Sequence, residues 1–204
     1  MMKEFWEERY KNEEFAYGVK PNQFFEDTIA KYNLKGSILL PAEGEGRNAV
    51  FAAKKGLNVT CFDISNQGKL KALKLAELNN VNINYLVGEF SQISFRENSF
   101  DVIVLIYAHF PPNLKSEYHQ RITKYLKKGG LLILEGFSKE QLKINAEYKI
   151  DLGPKNSEML FSLDEIEQDF SALEVVVLEH EEIELNEGAY HKGKASVIRF
   201  IGKK

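Results

Sequence analysis

Four residues in this chain are of a kind and spacing that could do chemistry: Gly44 and Gly46 in the stretch SILLPAEGEGRNAVFAAKKG, Asp63, and His109. The glycines stand between a short apolar run, Ile38-Leu39-Leu40, and a helical pattern in which Ala49, Val50, Ala52 and Ala53 can face a sheet. Strand, glycine turn and helix in that order form a nucleotide-binding crossover. Lacking Cβ atoms, the glycines let the backbone turn sharply and approach a ligand. The helix that follows offers unpaired N–H groups and a positive dipole end. Spaced as Gly44-x-Gly46-x-x-Ala49, the loop also matches the dinucleotide fingerprint of dehydrogenases, and a ligand-free glycine turn is the plain alternative.

Asp63 closes a second apolar run, Leu57 to Phe62, and lies 17 positions beyond Gly46. That is close to the roughly 20-residue separation of an acid that binds a ribose hydroxyl pair, and a carboxylate suits a vicinal diol. The same aspartate could instead cap the next helix. His109 follows Val102–Ile106, the most apolar run in the chain. In an open α/β sheet, ligands bind beyond the carboxyl ends of the strands. His109 therefore falls where reacting groups would sit, against the plain reading of a hydrogen-bonding or solvated loop histidine; for a hydroxyl or amine acceptor it is the candidate general base, with His191 second. At the end of a third strand, Val81 to Val87, Glu89 and Phe90 are candidates to border an adenine, against an ordinary loop with one buried Phe.

The elements that must position these groups read as one domain over 1–204. A helical N-terminal segment at 1–34 either packs its aromatics on a core at 35–204 or acts as a mobile lid that closes over a ligand. Pro21 is suited to the first turn of a helix running to Tyr32. Leu70, Leu73, Leu75 and Leu78 are expected on the buried side of a helix over 68–79. Lys127-Lys128-Gly129-Gly130 reads as a helix stop before a fifth strand at Leu131–Leu134. Ser162 and Glu165 form a capping box. Two strand-like runs, Leu173–Leu185 and Lys194–Ile201, end the chain, joined by residues 186–193. That connection and 138–161 are the expected substrate-facing stretches.

The 204 residues allow a proper core, and 44% hydrophobic content is ordinary for a globular domain. A net charge of −3 gives no basic footprint, which argues against nucleic acid as a partner. No apolar run approaches the roughly 20 residues of a membrane span. The charged N-terminus lacks the apolar stretch of a signal peptide, and a single cysteine, Cys61, rules out an internal disulfide, so a cytoplasmic location is expected. No metal ligand is assigned, and oligomeric state is unreadable.

Together AEGEGRNAVFAA, Asp63, SFDVIVLIYAHFPP, YLKKGGLLILEGF and the terminal strand pair resemble the class I S-adenosylmethionine-dependent methyltransferases over nearly the whole chain. With the aromatic N-terminus, FWEERY and YGVKPNQF, the sequence is similar to the small bacterial methyltransferases of the tellurite-resistance group. The resemblance implies an α/β Rossmann-like, doubly wound seven-stranded sheet, six strands parallel and one antiparallel, with helices on both faces. It implies S-adenosylmethionine as cofactor and in-line methyl transfer to a small-molecule acceptor: a thiol, a metalloid oxyanion or similar. By the family pattern Ala42 to Gly46 would lie against the methionine moiety, Asp63 on the ribose, Glu89 and Phe90 at the adenine, Tyr107 and Ala108 at the sulfonium, and His109 near the acceptor. The first motif departs from that pattern. Leu40 stands where an acid is common and Ala42 replaces the first glycine, so Glu43 is the candidate partner for the cofactor's ammonium. The alternatives are a non-catalytic S-adenosylmethionine-binding sensor or partner protein and, with less support, a nicotinamide-dependent oxidoreductase.

Overall fold

In the computed structural model, which describes residues 2–204, seven strands form one sheet in the order β3-β2-β1-β4-β5-β7-β6. The strands are β1 (Ser37–Pro41), β2 (Asn58–Asp63), β3 (Asn84–Val87), β4 (Phe100–Ile106), β5 (Leu126–Phe137), β6 (Glu174–Glu187) and β7 (His191–Lys203). The helices are α1 (Met2–Tyr10), α2 (Gln23–Tyr32), α3 (Arg47–Lys54), α4 (Asn66–Leu78), α5 (Pro112–Tyr125), α6 (Gln141–Tyr148) and α7 (Leu163–Asp169).

Alternation along the central strands sorts their side chains to two faces. Leu39, Ile103, Leu105, Leu132 and Leu134 pack with Tyr118 and Ile122 of α5 and with Ile166 and Phe170 of α7. Ile38, Leu40, Val102, Val104 and Ile133 pack with Phe25 and Ile29 of α2, Ala49 and Ala52 of α3, and Ala72 of α4. Both faces are thus covered, as a mostly parallel sheet requires. The pairs β1–β2, β2–β3, β1–β4 and β4–β5 are parallel. The pairs β5–β7 and β6–β7 are antiparallel. One reversed strand makes two antiparallel pairs because β7 lies inside the sheet.

Several boundaries differ from expectation, each for a local reason. Asn22 caps α2 through Phe25 N–H (3.0 Å), so Pro21 precedes the cap rather than opening the helix. The buried side of α4 is Gly68, Ala72, Leu75 and Ala76, while Leu70, Leu73 and Leu78 face outward. Here small size counts for more than hydrophobicity. A Cβ on Gly68 would stand 2.8 Å from Gly44 O, so only a slim helix face can lie against the glycine loop. Residues 127–130 belong to β5 rather than to a helix stop. The chain is already extended at Leu126, and Gly129, at φ 80°, takes up the register shift against β4. The expected loop at 186–193 is mostly strand, with Asn186 opposite Lys192 and Glu187 opposite His191, leaving residues 188–190 as the turn. The capping box forms as expected, Ser162 and Glu165 each bonding the other's backbone. No helix of the described residues is long and apolar enough to cross a membrane.

Candidate cofactor and acceptor site

The glycine loop turns from β1 into α3 with Ala42, Gly44 and Gly46 at φ 53°, 60° and 86°. The two glycines are demanded by protein neighbours. A Cβ on Gly44 would lie 2.6 Å from the Tyr10 hydroxyl, and one on Gly46 would lie 2.5 Å from Ala72 Cβ. The expectation that they clear space for a ligand thus gives way, in this conformation, to close packing of α1 and α4. Tyr85 fixes the loop by donating its hydroxyl to Gly44 O at 2.5 Å.

The two candidate carboxylates of this loop region are tied to backbone. Asp63, buried, accepts from Gly44 N–H (3.0 Å) through one oxygen and from Ser65 N–H (2.9 Å) through the other. Burial pushes its carboxyl up to about 6 against the pull of those N–H groups. An ionised carboxylate has about four lone-pair sites, so capacity remains on both oxygens. Glu43 accepts from Ala49 N–H (2.6 Å) and so caps α3, whose N-cap position, Gly46, has no side chain to do it. The carboxylate expected to pair with an ammonium is thus turned toward the helix end. Burial raises its carboxyl to about 8, opposed by the α3 amides and Arg47.

That shift predicts a pH dependence. Glu43 keeps its proton to higher pH in the folded chain than in the unfolded one, so stability is lost as pH rises from about 4.5 to 8. Below about pH 6.5 the lowered His109, His119 and His191 act in the opposite sense. The ligand-free chain should therefore melt at lower temperature at pH 8 than at pH 6.5. Glu43→Gln, which keeps an acceptor for Ala49, should flatten that slope. An unchanged slope in calorimetry would remove Glu43 as its source.

Over the loop lies α1. Glu7 accepts from Ser65 Oγ (2.8 Å), Asn66 N–H (2.9 Å) and Gln67 N–H (2.9 Å), so a residue of α1 caps α4. Tyr10 is buried beside Gly44 and stacks on Trp6. Glu45, also missed by sequence reasoning, is buried and ion-paired to Lys71 at 2.5 Å.

Further along the strand ends, Glu89 is exposed and Phe90 is not. Phe90 stacks on Phe62 (5.5 Å) and Phe110 (6.0 Å) inside the core, with the Arg121 guanidinium 4.8 Å from its centroid. Tyr107, at φ 52°, and buried Ala108 follow β4. His109 comes next, and it is held on both sides. Its Nδ1–H donates to Met159 O (2.9 Å) and its Nε2 accepts from Phe137 N–H (3.1 Å), while the ring stacks on Phe161. Burial lowers its pKa to about 4. Both of its nitrogens are thus engaged by backbone in this conformation. It pins the 157–159 turn, as does Lys115, which donates to Glu158 O and Leu160 O.

A polar cluster that sequence reasoning did not assemble lies beside Tyr107. Glu135, only 1% exposed at the end of β5, accepts from Asn22 Nδ2 (2.6 Å), Tyr107 Oη (3.1 Å) and Arg199 Nε (2.7 Å). Glu187 accepts from Arg47 (2.8 Å) and His191 Nδ1 (3.1 Å), which hold its carboxyl down at about 2 despite burial. The available signal was an acid ending an apolar strand, Leu131-Leu-Ile-Leu-Glu135, the pattern that singled out Asp63.

This donor set suits a nucleoside carrying a cationic tail. Asp63 has lone pairs left for hydroxyls, and Glu43 and Asp63 are carboxylates whose ionised forms a cation would favour. A methyltransferase-domain family matches residues 38–130, the span from β1 into β5 and a little under half of the chain. No curated protein matches the sequence. Among solved structures, one described for the conversion of a disulfide bond into a thioacetal group during echinomycin biosynthesis is 15% identical. It covers 100% of this chain and 92% of its own, at a TM-score of 0.80. TehB from Haemophilus influenzae is 15% identical over 99% of this chain and 66% of its own, with a TM-score of 0.72. A SAM-dependent methyltransferase from Methanosarcina mazei is 21% identical over 91% and 99%, with a TM-score of 0.66. At these identities the structural likenesses establish the fold. The family match adds to the fold: residues 38–130 are similar to a methyltransferase domain, a likeness that implies an enzyme with S-adenosylmethionine as its cofactor.

Proposed function

We propose that the chain methylates a small-molecule acceptor by in-line displacement. The cofactor, when bound, supplies a methyl group already activated by its sulfonium. The task left to the protein is alignment and exclusion of water. Asp63 is the ribose ligand, through the lone pairs that Gly44 and Ser65 leave free. The backbone of Ala42, Gly44 and Gly46, with Glu43, holds the methionine end. Glu89 borders the adenine from the surface, and Phe90 supports that wall from the core. Tyr107 and Ala108 stand at the sulfonium side. The acceptor is a thiol or another small nucleophile. The single observation carrying this reading is the family match lying on the glycine loop and Asp63 together.

Residues 1–34 act as a lid on a single domain. Tyr10 stands over Gly44 and Glu7 holds α4, so α1 must release both contacts to admit the cofactor, and closure afterwards excludes water. The test is a thermal-shift titration with S-adenosylmethionine, S-adenosylhomocysteine, NAD and NADP. A ligand that binds only the native state stabilises it by about 2.7 kcal/mol at a hundredfold excess over Kd. A shift with the two sulfur nucleosides alone is expected; a shift with a nicotinamide cofactor alone would overturn the reading.

A further inference from the structure

The Glu187–His191 pair has a use that the proposed reaction leaves open. His191 is 7% exposed, and its Nδ1 lies 3.1 Å from Glu187 Oε2. An ionised carboxylate only accepts, so Nδ1 carries the proton and Nε2 presents a basic lone pair. Nε2 has no hydrogen-bond partner among the described residues, yet it is not among their sealed polar atoms, so it opens on accessible space. Tyr107 and Tyr17 hold the ring in place, with centroids 4.5 and 4.4 Å away. Tyr107 directly follows β4, and Arg47, the partner of Glu187, directly follows Gly46, so the pair sits between the two strand ends that frame the site.

The charges around it speak to the acceptor. Three cations stand near this cluster: Arg47 is paired with Glu187 (2.8 Å) and Arg199 with Glu135 (2.7 Å), while Arg9 of α1 donates to Tyr17 Oη (3.1 Å) and lies over the Tyr190 ring (3.8 Å). The two arginines buried in the cluster are not left to receive an anion, Arg9 is held by the two tyrosines, and an anion buried beside Glu135 and Glu187 is costly.

We propose that His191 is the general base of the transfer and that the acceptor is a neutral nucleophile with a proton on sulfur or oxygen, a thiol or a phenol, rather than an oxyanion. This rests on the methyl-transfer reading above. The acceptor's proton passes to Nε2 and its lone pair forms the bond to the methyl carbon. The carbon–sulfur bond breaks with its electron pair staying on the departing sulfur, and the imidazolium returns its proton to water. Glu187 is a positioning residue: it fixes the tautomer and steadies the cation that His191 becomes. The groups facing His191 are Glu187 on β6, Arg47 on α3, Arg9 on α1, Tyr17 before α2, and Tyr107 and His109 after β4.

The test uses the full chain labelled with 15N-histidine and saturated with S-adenosylhomocysteine, with phenol, 2-mercaptoethanol and tellurite as probes. The His191 spectrum should show the proton on Nδ1. The Nε2 signal should move with phenol or 2-mercaptoethanol and stay put with tellurite. Glu187→Gln should mix the tautomers. In turnover with S-adenosylmethionine and either proton-bearing probe, His191→Gln should lower kcat at pH 7 by about a hundredfold or more. The KM for S-adenosylmethionine should stay within about twofold, and the loss should narrow as pH rises and the probe ionises on its own. A proton on Nε2 in the wild type, an equal response to tellurite, or a His191→Gln enzyme as fast as wild type would each overturn the proposal. So would methylation of tellurite but of neither other probe. If S-adenosylmethionine fails to stabilise the chain, the methyl-transfer reading itself falls. If it binds and His191 behaves otherwise, only this inference does.

Discussion

Asp63→Ala should weaken S-adenosylmethionine by at least about a hundredfold. Two charge-assisted hydrogen bonds to a ribose are worth about 1.5–3 kcal/mol each, and about 1.4 kcal/mol is tenfold. The same change removes the acceptor shared by Gly44 N–H and Ser65 N–H, so the ligand-free chain should also lose about 1–3 kcal/mol per stranded donor. Calorimetric titration separates the two effects, because the first is read as affinity at a temperature where the variant is still folded. A variant that is destabilised but binds with wild-type affinity would make Asp63 a loop brace only.

Arg199→Met should destabilise the chain by about 3–5 kcal/mol, the cost of breaking a buried ion pair from one side. Its partner Glu135 is 1% exposed and keeps only Asn22 and Tyr107 as donors. The cost should fall sharply in Arg199→Met with Glu135→Gln, which removes the stranded charge yet leaves an oxygen for both donors. Denaturant unfolding of the two variants decides the point. Equal losses would assign the effect to lost packing of the arginine stem, whose guanidinium lies 4.9 Å from the Phe24 ring centroid.

The strands β1, β2 and β4 were legible because buried parallel strands write themselves as apolar runs, and α7 because its cap is local, Ser162 to Glu165. The buried face of α4 was not. Its contact is with a loop whose closeness selects Gly68 and Ala72, and the leucine pattern carries no such information. His109 was placed correctly at the end of β4, but its use was hidden in partners 28 and 50 residues away. The partners of Glu135 and Glu187 were illegible for the same reason, since Asn22 meets Glu135 across 113 positions. Periodicity reports which face a residue takes; it is silent on which distant side chain waits there.

The place of β7 also governs how the chain comes into being. Synthesised from the N-terminus, β1 to β5 can pair while β5 still has one bare edge, Leu131-Leu-Ile-Leu, with no strand beside it. The strand that covers it, β7, emerges after β6, and β6 has no partner in the sheet except β7. The hairpin must therefore arrive as a unit, bringing His191 and Arg199 with it. Until β7 arrives, that edge of β5 is an apolar, hydrogen-bonding edge of the kind that recruits other chains.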